Sequence, residues 1–136
     1  SDREIAELRR DVLGELHPLH AAPGTLRGEL GTLARDHGVE VNEGRNTVHL
    51  SAGHLEGMFQ VQRYFGDGVE HTPLGTALAA EGVDPAFVAS LATDPDLSDG
   101  TGDTVSPHGA TENLNRDEVV TLVHRWAVSH EKENRS

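Results

Sequence analysis

The chain has 136 residues, enough for one domain of ordinary size with a single core. It contains no cysteine, which excludes disulfides, thiolate metal sites and cysteine nucleophiles. Asp and Glu outnumber Lys and Arg 23 to 11, a formal charge of −12, and a single lysine, Lys132, stands among ten arginines. A chain this acidic repels itself in dilute salt and is screened in concentrated salt, where the Debye length falls to about 3 Å at 1 M. That balance reads as adaptation to a halophile's cytoplasm. Ser1-Asp2-Arg3-Glu4 lacks the basic and apolar regions of a signal peptide, and no apolar run approaches a membrane span. A cytoplasmic protein without membrane contact is expected.

The first helix is expected over about Asp2–Leu16, with Ile5, Leu8, Val12, Leu13 and Leu16 on one face. Pro18, Pro23 and Gly24 break it. A second helix starts at Thr25 as N-cap, carries an apolar stripe of Leu26, Leu30, Leu33 and Ala34, and stops at Gly38. The period then shortens. Val39 and Val41, then Val48 and Leu50, alternate with polar residues around 42–46, which predicts a small β-hairpin over about residues 39–50. Ser51 opens a third helix carrying Leu55, Met58, Phe59, Val61 and Phe65 and closing at Gly66-Asp67-Gly68.

Thr72-Pro73 and Asp84-Pro85 each place a capping side chain before a proline at the first helical position, so two short helices follow. Residues 93–111 hold much Asp, Gly, Ser and Pro and little to bury, and read as a long acidic loop. Asn115 and Glu118 have capping-box spacing before a last helix whose buried face is Val119, Val120, Leu122, Val123, Trp126 and Ala127. Residues 131–136 read as a frayed polar tail. The expectation is therefore mainly α: about six helices packed as one compact domain over 1–136, with one small hairpin.

Residues 73–91 resemble a helix-turn-helix, with Gly82 at the turn and Val83, Val88 and Leu91 at the apolar anchors. The second helix offers Ala86, Ala89 and Ser90 to a groove, with no side chain suited to reading bases or neutralising phosphate. Nine histidines are scattered along the chain. His17 and His20 flank Pro18, His49 and His54 straddle an expected junction, and His124 and His130 fall on different faces of the last helix. None has the spacing of a known metal-ligand set. The run from Asp94 to Gly100 puts Asp99 where a calcium loop of the EF-hand type needs Gly. Arg125 and His130 are spaced Arg-x4-His as in the HEPN ribonucleases, a coincidence that this many Arg and His make by chance, and Trp126 stands where that family carries a polar residue.

No catalytic, cofactor-binding or metal-binding residue is thus assigned from sequence, and no cofactor is expected. The functional expectation is a non-enzymatic protein-interaction module (an assembly component, adaptor or small regulator). The alternative is a divergent helix-turn-helix DNA-binding regulator using residues 73–91. The expected partner is another protein or a second copy of the chain, and no nucleic acid binding is expected of the chain alone.

Overall fold

The computed structural model describes residues 3–98 and 103–135. The chain divides into two compact units, Ser1–Leu50 and Ser51–Ser136. The mainly helical reading with a single small hairpin is correct, but the hairpin lies elsewhere than expected.

In the first unit, α1 (Ile5–Glu7) runs on as a π-helical turn, Leu8–Leu13, that buries Ile5 and Leu13. Gly14 ends it at φ 91°, its N–H reaching Arg9 O at 3.0 Å. A side chain at Gly14 would collide with Thr25, so glycine is required there for space as well as for backbone angle. Helix α2 (Leu26–Asp36) begins as expected, Thr25 Oγ1 accepting from Gly28 N at 3.3 Å. Its inward residues are Arg27, Gly28 and Gly31, while Leu26, Leu30 and Leu33 are exposed.

The expected hairpin at 39–50 is replaced by one antiparallel bridge, Asn42↔Arg45. Asn42 Oδ1 accepts from both Gly44 N and Arg45 N at 2.9 Å, closing a turn on the side chain itself. Thr47, at φ 72°, then leaves extended geometry, so Val48 and Leu50 never pair with Val39 and Val41.

In the second unit, α3 (His54–Phe65) starts three residues after Ser51, with Gly53 as N-cap held against Thr111 O. It buries Leu55, Met58 and Phe59, and ends at Gly66. A 3-10 turn, Val69–His71, leads to α4 (Pro73–Ala80) and α5 (Pro85–Ser90). The two sequence-predicted caps are in place: Thr72 accepts from Gly75 N at 3.0 Å and Asp84 from Ala86 N at 3.1 Å. A second 3-10 turn, Leu91–Thr93, follows.

The described residues of 93–111 carry structure where a loop is expected. β1 (Leu97–Ser98) pairs antiparallel with β2 (Thr104–Val105), Leu97 opposite Val105, and α6 (Pro107–Ala110) follows. Ser106-Pro107 is the same cap-plus-proline signal as the two before it, and Ser106 accepts from Gly109 N at 3.1 Å. Helix α7 (Arg116–Asn134) has the full capping box, Glu118 N to Asn115 Oδ1 at 3.0 Å and Asn115 N to Glu118 Oε2 at 2.9 Å. It continues through residues 131–134, which the sequence suggests are frayed. The core of this unit joins Leu55, Leu78, Leu91, Val119, Val123 and Trp126, drawn from α3, α4, the turn after α5, and α7.

Candidate functional site

Residues 1–50 hold six of the eleven basic residues against nine acidic ones, whereas 51–136 hold five against fourteen. The first unit is thus where an anion meets least repulsion. Its centre is Arg27, only 7% exposed, on the inward side of α2 with Gly28 and Gly31. Arg27 Nη1 donates to Gly14 O at 3.2 Å and Nη2 to Val48 O at 3.1 Å. Its Nε–H is buried and has no acceptor, and among the described residues no carboxylate is paired with the guanidinium. Burial, and next the positive charge of Arg9, lower its pKa from the ordinary arginine value.

Such a group is expensive. A buried donor left unsatisfied costs about 1–3 kcal/mol, and a buried charge without a counter-charge costs more. The arrangement therefore has an electrostatic deficit that an anion would remove. It also fixes the chain around itself: by holding Gly14 O and Val48 O at once, Arg27 ties the end of the first helix to the segment that presents His49. His49 is exposed and follows the tethered carbonyl directly. Sequence reasoning missed Arg27 because an arginine beside a leucine stripe looks like a solvated flank. Its one signal was the pair Gly28 and Gly31, which mark the close-packed side of the helix.

The sequence candidates are distributed as follows. His17 and His20 stack on each other, ring centroids 4.2 Å apart, and His17 Nδ1 accepts from Leu19 N at 3.3 Å. His54 is half-buried at the start of α3, its pKa lowered by burial first and by Arg116 among the nearby charges. His124 and Arg125 are exposed, and no bond joins Arg125 to His130. His130 instead packs on Phe87, centroids 5.4 Å apart, and its Nε2 lies 3.0 Å from Asn134 Nδ2, so the HEPN-like spacing brings no pair together.

Asp94 is committed to structure: Oδ2 accepts from Ser106 Oγ at 2.7 Å and Oδ1 from His108 N at 2.8 Å. Asp99 and Gly100 of the calcium-loop comparison lie outside the described residues. Residues 73–91 do form two helices around Gly82 at φ 73°, with Leu74, Leu78, Val83, Phe87, Val88 and Leu91 buried. The exposed remainder of α5 is Pro85, Ala86, Ala89 and Ser90. Among the described residues no three of His, Asp and Glu are grouped as a metal ion would require.

No family model matches the chain, and no solved structure matches it. Curated proteins do. A nucleoside diphosphate kinase of Herpetosiphon aurantiacus is 35% identical over 63 residues, 46% of this chain and 36% of that protein. One of Prochlorococcus marinus is 38% identical over 56 residues, 41% of this chain and 31% of that protein. Nucleoside diphosphate kinase 2, chloroplastic, of Nicotiana tabacum is 37% identical over 59 residues, 43% of this chain and 22% of that protein. The matched segments thus span about a third of these relatives or less. The relatives are enzymes, and this overturns the expectation of a non-enzymatic interaction module together with its alternative, a DNA-binding regulator. That expectation rested on the absence of a recognised catalytic motif and on several short helices, two of them starting at proline, that suggested an irregular scaffold surface.

Proposed function

We propose that the chain is part of an enzyme transferring a phosphoryl group to a nucleoside diphosphate, the activity for which its relatives are named, and that residues around Arg27 and His49 handle the phosphates. The observation that carries this reading is the 35–38% identity to several nucleoside diphosphate kinases. The geometry agrees with the chemistry. Phosphoryl transfer needs little from a protein beyond positioning and stabilisation of charge on the phosphate oxygens. Arg27 has an unmet donor, no carboxylate partner among the described residues and a second arginine in its field. A phosphate beside the guanidinium would neutralise its charge. His49, one residue beyond the carbonyl that Arg27 holds, is the group we assign to proton or phosphoryl handling.

Among the described residues no helix is long and apolar enough to cross a membrane. We place the protein in the cytoplasm of a cell that works in concentrated salt, with a protein partner or a second copy completing its assembly.

The test is GDP binding by calorimetry, together with formation of GTP from GDP and ATP. His49→Asn and Arg27→Lys should each lower kcat/KM by about 100-fold or more, the scale of losing one preorganised group. Arg27→Lys keeps the charge and loses the fork, so circular dichroism of that variant separates lost folding from lost chemistry. Absence of GDP and ATP binding by the folded wild-type chain, or full activity in both variants, would overturn the reading.

A further inference from the structure

Helix α2 is packed inside out. The inward side carries Gly28 and Gly31 against the backbone of residues 18–22: a Cβ on Gly31 would come within 2.6 Å of Pro18 Cβ, and one on Gly28 would strike Ala22 O. The side chain that passes inward is the charged one, Arg27. Outward lie Leu26, Leu30 and Leu33, 48%, 38% and 53% exposed. Their i, i+4, i+7 spacing makes one continuous stripe. A soluble helix ordinarily buries such a stripe and solvates its arginine, so the reversal marks a surface meant to be covered.

Charge decides by what. At 100° per residue, Glu29 and Asp36 fall along one edge of the stripe, and both are exposed. Arg27 is turned inward, and the remaining basic residue of α2, Arg35, is 3.4 Å from Asp36. The exposed border is acidic. In an antiparallel two-fold pair of α2 helices the Glu29–Asp36 edge would face its own copy, like charge against like. An anionic lipid surface would meet the same edge and the −12 charge of the whole chain. A polypeptide helix that is apolar on one side and bordered by Lys or Arg satisfies stripe and edge together. We propose that the Leu26–Leu30–Leu33 stripe is a docking face for such a basic amphipathic helix of another polypeptide. This stands on α2 alone and is independent of the phosphoryl-transfer reading.

The experiment uses the whole chain and three labelled peptides in fluorescence anisotropy. One is a helix of Leu and Lys in amphipathic order, the second is its scramble, and the third has Glu in place of Lys. The expected result is saturable one-to-one binding of the first peptide alone, accompanied by a gain of helix in circular dichroism. Leu30→Glu should weaken it by at least about tenfold, as for loss of a central anchor. Leu30→Ser, which removes the apolar contact without adding charge, should weaken it in the same direction. Because Leu30 is exposed, both variants should melt with the wild type. Equal binding of the scramble would mean charge alone attracts the peptide and would overturn the proposal. So would unchanged affinity in the variants, a wild-type dimer in light scattering that Leu30→Glu dissociates, or binding to anionic vesicles but to no peptide.

Discussion

Trp126 and Arg27 make opposite use of burial. Trp126 is 4% exposed and packed among the apolar residues of the second unit. Trp126→Ala should destabilise the fold by about 3–5 kcal/mol, the range for removing a buried aromatic, read as a fall in the urea midpoint. A variant of unchanged stability would move Trp126 from the core to a contact surface. Arg27, by contrast, is buried at a cost, and only its side-chain geometry reveals that. Trp126 stands out in the sequence as the sole tryptophan, whereas Arg27 is one of ten arginines. The apolar spacing around Trp126 announces its place. Around Arg27 only Gly28 and Gly31 hint at it, because which flank of α2 turns inward depends on how closely those glycines approach residues 18–22.

At the scale of elements, Asp94 links the turn after α5 to the start of α6. Burial opposes its charge, but the His108 N–H and the Ser106 hydroxyl outweigh that and hold its pKa below the ordinary carboxylate value. A carboxylate with a depressed folded pKa contributes stability that is present above its unfolded pKa, about 3.9, and is lost as pH falls through the folded one. Asp94→Asn should therefore melt below the wild type at neutral pH, and the gap should close as the pH is lowered beneath about 4. A gap that stays constant over that range would show that shape, and not charge, makes the tie. α4, α5 and α7 are readable because their caps and their apolar faces point the same way. β1, β2 and α6 are only two to four residues each, too short for any periodicity, although Ser106-Pro107 did signal a helix start. The expected hairpin at 39–50 has the right alternation and fails because the Asn42 side chain closes the turn locally and Thr47 adopts a left-handed backbone.

For the whole molecule, the charge is spread unevenly, with fourteen acidic residues against five basic ones in 51–136. Self-repulsion there should weaken as salt screens it. Thermal melts between about 0.1 and 3 M KCl should show a rising midpoint, and a midpoint that is flat or falls with salt would sink the reading of a chain adapted to concentrated salt. Length, charge, the helical class and most helix boundaries were decided by the chain's own order of residues, since capping, proline placement and 3.6-residue periodicity act over a turn or two. The candidate site was not. Arg27, Gly14 and Val48 are far apart in sequence and meet only through the fold. The outward stripe on α2 is likewise a matter of packing, because an apolar stripe is written into a helix but the side it faces is chosen by what lies against it.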